Sequence, residues 1–214
     1  LHGTVQLEVR KNEDPILRRP YEEFSPLIRK IVMIVAMEYG QHISLKSIAE
    51  KCDIITFHVP LYKEGKYKTY HLADKHFFHS LKKGAVIMNT SRGEVIETEA
   101  LLEALRSGIL SDAVIDVWEN EPDINLTLLY KVFIGTPHIA GYSADGKANA
   151  TRMSLDSLCR HFGIQADYHI APPEPENPII IASTPTEAYL KMYDPRKDCE
   201  ALRAHPELFE KLRG

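Results

Sequence analysis

The sequence predicts an α/β fold, a partial doubly wound parallel sheet, and three observations carry that prediction. Ala85-Val86-Ile87-Met88, Ala113-Val114-Ile115 and Val132-Phe133-Ile134 are continuously apolar rather than alternating, as strands covered on both faces are. Capped stretches of helical length lie between such runs. The rhythm of strand, helix, strand and helix needs crossover connections, which are right-handed and make the strands parallel.

Residues 1–43 are the least regular. Val5-Gln6-Leu7-Glu8-Val9 alternates like a half-buried strand, and residues 27–37 fit a helix or a buried strand equally well. From Ser44 the pattern is regular: Ser44 caps a short helix through Glu50, and residues 53–58 form the next strand. Asp74 caps a helix over residues 75–81, ahead of the strand that ends at Asn89. Thr98 caps another over residues 99–107, closed by Gly108 where a left-handed residue ends a helix. Ser143 opens a long helix with Met153, Leu155, Leu158 and Phe162 as apolar positions and Gly163 as its stop. Ala171-Pro172-Pro173-Glu174-Pro175-Glu176-Asn177-Pro178 is the clearest linker, because its prolines favour extended backbone. Beyond it, residues 179–182 suggest a strand, and Thr184-Pro185-Thr186-Glu187 is a capping box with proline at the first helical position. Short helices are expected over residues 200–204 and 206–212.

Composition excludes several classes. Hydrophobic content of 44% and charged content of 26% are ordinary for a globular protein. A net charge of −4 and a pI near 6.2 give no footprint for nucleic acid or an anionic membrane. No apolar run approaches the ~20 residues that span a bilayer. Leu1-His2-Gly3 lacks a basic region followed by an apolar segment, so no secretory signal is expected, and three widely spaced cysteines, Cys52, Cys159 and Cys199, suit reduced thiols in the cytoplasm. Cys52, just before a strand, reads as a small packed residue. His76 and His79 stand one helical turn apart without an acidic companion, so a solvated face is expected there and no metal.

Chemistry gathers between Asn89 and Tyr142. An arginine (Asn89-Thr90-Ser91-Arg92-Gly93), an acidic pair (Asp116-Val117-Trp118-Glu119-Asn120-Glu121-Pro122) and a histidine (Thr136-Pro137-His138-Ile139-Ala140-Gly141-Tyr142) each follow one of the apolar runs. Carboxyl ends of parallel strands line the ligand crevice of such a sheet, so the three groups should converge. Arg92 offers a planar fork for a substrate carboxylate. His138 can move a proton near neutral pH, and Glu121 can hold its far ring nitrogen and so set the tautomer. That set suits oxidation of a 2-hydroxy acid, with a borrowed hydride acceptor.

Cys52-Asp53-Ile54-Ile55-Thr56-Phe57-His58-Val59-Pro60 followed by those three blocks, in that order, resembles the D-isomer-specific 2-hydroxyacid dehydrogenase family. The resemblance implies a Rossmann-like sheet, NAD as cofactor, and Arg92, Glu121 and His138 as the catalytic set. The family's carboxylate directly precedes the proline, which selects Glu121 and leaves Glu119 solvated. Val59, Asp116 and Gly141 match positions beside the cofactor, Val59 through its backbone because valine has no hydroxyl. Three further stretches, Tyr67-Lys68-Thr69-Tyr70-His71-Leu72, His138-Ile139-Ala140-Gly141-Tyr142 with Gly146-Lys147, and Tyr193-Asp194-Pro195-Arg196, are similar to one subgroup. Its substrate is a phosphorylated sugar acid of pyridoxal phosphate biosynthesis, 4-phospho-D-erythronate, with Tyr142 as a contact and a C-terminal dimerisation segment that implies a homodimer. Family members acting on phosphoglycerate or another 2-hydroxy acid, and nucleotide-sensing corepressors, stay open as alternatives.

The expected organisation is an unassigned remnant over residues 1–43, an NAD-binding domain over 44–163, and a linker with the start of the dimerisation segment over 164–214. None of the eleven glycines forms the Gly-x-Gly-x-x-Gly loop that cradles a pyrophosphate. The sequence is therefore expected to be part of a longer protein, and the acidic residue that separates NAD from NADP cannot be placed.

Overall fold

The computed structural model describes residues 31–34, 52–165, 167–172 and 179–213. The strand expected at residues 5–9, the helix at 44–50 and most of the proline linker lie outside them. Five strands, β1 (Ile31–Ile34), β2 (Ile54–Phe57), β3 (Ala85–Asn89), β4 (Leu110–Ile115) and β5 (Ile134–Gly135), stand in sequence order across one sheet. All four pairings are parallel, as in one half of a doubly wound sheet. Residues 31–34 thus take the strand, one of the two forms open to that stretch.

Crossover helices cover the sheet. In α1 (Lys75–His79) the Asp74 carboxylate accepts the Phe77 N–H at 2.8 Å, and Phe77 and Phe78 are buried. Helix α2 (Thr98–Arg106) buries Ala100, Leu101, Leu102, Ala104 and Leu105 on one face, the i, i+1, i+4 pattern of an amphipathic helix. Thr98 is its first residue rather than its cap. Glu97 holds the cap position without a side-chain bond, and the Thr98 N–H donates instead to Glu119 Oε2 at 2.8 Å. Gly108 adopts φ +73°, the left-handed stop expected of it.

Helix α1 stops at His79, two residues before the expected end, and two strand starts move by two or more residues. Strand β4 starts three residues early, since Ser111 and Asp112 interrupt the apolar run while the backbone still pairs with β3. Strand β5 starts only at Ile134, because Val132 and Phe133 form the exit from a helix the apolar pattern hid, α3 (Leu126–Lys131), capped by Asn125 accepting the Leu128 N–H at 3.0 Å. Val132 is the C-cap of α3, its N–H on the Leu128 carbonyl.

Helix α4 (Ala144–Phe162) has the expected cap, Ser143 Oγ accepting the Gly146 N–H at 3.3 Å, and the expected stop at Gly163, φ +64°. It buries none of its residues. Residues 179–182 form no strand, because no described edge pairs with them. Thr184 caps α5 (Pro185–Met192) through the Glu187 N–H, and Glu187 accepts from Ser183, one residue earlier than a capping box requires.

Helix α6 (Arg196–Ala204), a 3-10 turn (Pro206–Leu208) and α7 (Phe209–Leu212) follow. Cys199, Leu202 and Phe209 are buried, Leu202 and Phe209 in one cluster with Ile87, Ile115 and Leu129. The Gly135 N–H donates to Cys199 Sγ at 3.3 Å, and Arg203 donates to the carbonyls of Leu129 and Val132 at 3.3 and 2.5 Å. The last helices therefore close the β5 edge of the sheet.

Candidate active site

Register sets the site. Phe57 pairs with Asn89, Asn89 with Ile115, and Ile115 with Gly135, so the loops after β2, β3, β4 and β5 leave one rim side by side. The loop after β3 is tied by Asn89, buried at 1% exposure. Its Oδ1 accepts from the Ser91 N–H and hydroxyl at 3.1 and 2.9 Å, and its Nδ2 donates to the Arg92 carbonyl at 2.9 Å. Arg92 itself is exposed, its guanidinium donating to the Ser91 carbonyl at 2.6 Å. Gly93 presses this turn onto the loop after β4: a Cβ there would stand 2.0 Å from the carbonyl carbon and oxygen of Trp118. Only glycine permits that approach, and it brings the arginine turn against the segment that carries Glu121.

That segment delivers the dyad. Glu121 Oε1 accepts the Trp118 N–H at 2.8 Å, and Oε2 meets His138 Nδ1 at 2.7 Å. Both side chains are largely enclosed, at 19% and 16% exposure. With Nδ1 on the carboxylate, Nε2 is the nitrogen left to exchange a proton. His138 has φ +57°, a left-handed conformation costly for a histidine, and Asp116 holds it there. Asp116 Oδ1 accepts from Thr136 Oγ1 at 2.6 Å and the Ile139 N–H at 2.8 Å, and Oδ2 from the Ala140 N–H at 3.0 Å, bracketing His138 on both sides. Trp118 Nε1 donates to the Thr136 carbonyl at 2.8 Å and completes the brace.

Glu119 is not solvated as expected. Its side chain is 16% exposed, with Oε1 2.6 Å from His71 Nε2 and Oε2 on the α2 N-terminus. Burial alone would raise its carboxyl, and the bonds from Thr98 and His71 outweigh that and hold it below its ordinary value. The residues that sequence reasoning missed, Asn89, Trp118 and Thr136, tie the rim loops together through both backbone and side-chain bonds, and no local pattern marks those partners.

The remaining positions surround the dyad. The Tyr142 ring lies edge-on, 6.4 Å from that of His138. Gly141 has φ +84°, and a Cβ on it would meet nothing within 4 Å, so the space beside it is open. Val59, two residues beyond β2, is buried at 3% exposure. Thr69 folds the loop after β2, accepting from the Tyr62 N–H at 2.8 Å and donating to the Pro60 carbonyl at 2.6 Å. Among the described residues no three His, Cys, Asp or Glu side chains cluster as metal ligands would.

A parallel sheet with an arginine turn, an enclosed carboxylate–histidine pair and an open glycine at one rim is the frame of a nucleotide-dependent dehydrogenase domain. Residues 28–140 match the NAD binding domain of the D-isomer specific 2-hydroxyacid dehydrogenases, and the chain belongs to that family. It is 82% identical over 171 residues to an erythronate-4-phosphate dehydrogenase of Bacteroides fragilis, covering 80% of this chain and 49% of the relative. It is 45% identical over 186 residues to one of Porphyromonas gingivalis, covering 83% of this chain and 50% of that one. The chain thus spans about half the length of the curated relatives it matches. Among solved structures, the apo D-mandelate dehydrogenase of Rhodotorula graminis superposes with a TM-score of 0.51 at 34% identity, over 61% of this chain and 39% of that one.

Proposed function

We propose that the protein carrying this chain oxidises 4-phospho-D-erythronate to 2-oxo-3-hydroxy-4-phosphobutanoate, a step of pyridoxal phosphate biosynthesis, in the cytoplasm and as a homodimer. The observation that carries the reading is the 2.7 Å bond between His138 Nδ1 and Glu121, on a loop that Gly93 packs against the Arg92 turn. Arg92 binds the substrate carboxylate through its planar fork. His138 takes the proton of the 2-hydroxyl at Nε2, and Glu121 keeps the ring in the tautomer that leaves Nε2 free to accept it. Tyr142, beside His138, contacts the sugar acid.

The rim fits the nicotinamide end of NAD: the Val59 backbone, the open side of Gly141, and Asp116 Oδ2, which accepts a single bond in the loop, would hold it. NAD, when bound, supplies the hydride acceptor. Partial enclosure of the dyad limits its contact with water.

Replacing His138 with alanine in the intact enzyme is expected to lower kcat by roughly 100- to 10,000-fold, the usual worth of a positioned general base, while NAD affinity changes little. Wild-type turnover of 4-phosphoerythronate should exceed that of 3-phosphoglycerate. Undiminished turnover in H138A removes the base assignment, and preference for phosphoglycerate removes the substrate.

A further inference from the structure

The proposed function accounts for the carboxylate and hydroxyl of the substrate and leaves its phosphate without a binding group. The last described residue supplies one. Arg213, just beyond α7, places Cζ 4.7 Å from the centre of the Tyr142 ring and Nη1 4.0 Å from Glu121 Oε2. That distance is an ion contact, too long for a hydrogen bond. Its buried Nε has no hydrogen-bond partner among the described residues. An arginine donates up to five hydrogen bonds and strongly favours a bidentate anion. Here a guanidinium stands one carboxylate away from the catalytic imidazole with that capacity unused. Lys147 adds a second cation, its Nζ 4.6 Å from the same ring centre.

We propose that Arg213, with Lys147 and Tyr142, binds the phosphate end of the substrate. The inference rests on the proposed reaction and adds to it a residue that fixes specificity. The spans are of similar size: with the 2-hydroxyl at His138, the phosphorus of a four-carbon 4-phosphate lies roughly 5 Å from carbon 2, given bond lengths near 1.5 Å. The Tyr142 ring, over which both cations sit, is 6.4 Å from the His138 ring. One end of the substrate is thereby held by a residue of the C-terminal helices and the other by the turn after β3.

The experiment compares the intact enzyme with R213M and R213K on 4-phospho-D-erythronate and on unphosphorylated D-erythronate, with inorganic phosphate as a competitive inhibitor. R213M should lose roughly 10- to 100-fold in kcat/KM on the phosphorylated substrate, mainly through KM, as expected for one charge-assisted contact. Its activity on erythronate should stay within about twofold, the phosphate inhibition constant should rise about tenfold, and R213K should recover part of each loss. Equal losses on both substrates, or a displaced pH profile at constant KM, would show that Arg213 acts only through Glu121 and overturn the proposal. Inactivity of the wild-type enzyme on both substrates would overturn the reaction, and the phosphate site with it.

Discussion

Glu119 is flanked by two residues distant in sequence, His71 and Thr98, and its carboxylate joins the loop after β2 to the start of α2. Its environment predicts a pH effect. The folded-state value lies below the ordinary 4.5, so the unfolded chain binds the extra proton first as pH falls. The stabilisation is complete above about pH 4.5 and is lost as pH drops through the folded value. E119Q should lower Tm at neutral pH and flatten its decline between roughly pH 5 and 3. Parallel acid declines in the two proteins, followed by circular dichroism, would show that Glu119 is unpaired in solution. The sequence pointed away from this role, because the partners are 48 and 21 positions distant and no local pattern joins them. The pairing of Glu121 with His138 was legible for the opposite reason: both lie in loops that leave the carboxyl ends of the neighbouring strands β4 and β5, so chemistry and topology coincide in a short window. The Asp116 brackets around His138 were only half legible; the carboxylate was visible and the amides it accepts from were not.

At the scale of elements, strands β2 and β3 and helices α1, α2 and α4 follow from apolar runs and caps. What escaped was short or mixed in character: six-residue α3, the polar start of β4, and the extra turn that begins α6 at Arg196. Helix α6 matters most for the site. Through Cys199 and Arg203 it fastens to β5 and the end of α3, and β5 leads directly into His138. Leu202, at 0% exposure, anchors it. Leu202→Ala is expected to cost about 2–5 kcal/mol, the range for emptying a leucine site in a packed core, and to lower Tm by several degrees. Because Leu202 shares a cluster with Ile87 and Ile115, the loss should appear in the main unfolding transition. An unchanged main transition with early melting of the C-terminal helices alone would detach α6 from the sheet's core.

For the molecule as a whole, the unresolved demand is apolar surface. Ile179, Ile181, Tyr189 and Met192 are 79%, 84%, 69% and 65% exposed, all within residues 164–214. Helix α4 adds Met153, Leu158 and Phe162 and buries nothing against the sheet. Scattered exposed apolar side chains are ordinary, but this many along two neighbouring stretches of sequence fit a surface that is covered in the whole protein. The proposed homodimer through residues 164–214 answers that demand, each protomer's C-terminal segment lying on its partner, since closed two-fold pairs are the commonest way for identical chains to bury such a surface. Light scattering of the intact protein should return twice the protomer mass, and I181E combined with M192E should shift it toward the protomer mass without altering the far-ultraviolet spectrum. A single protomer mass at every concentration would rule out a homodimer.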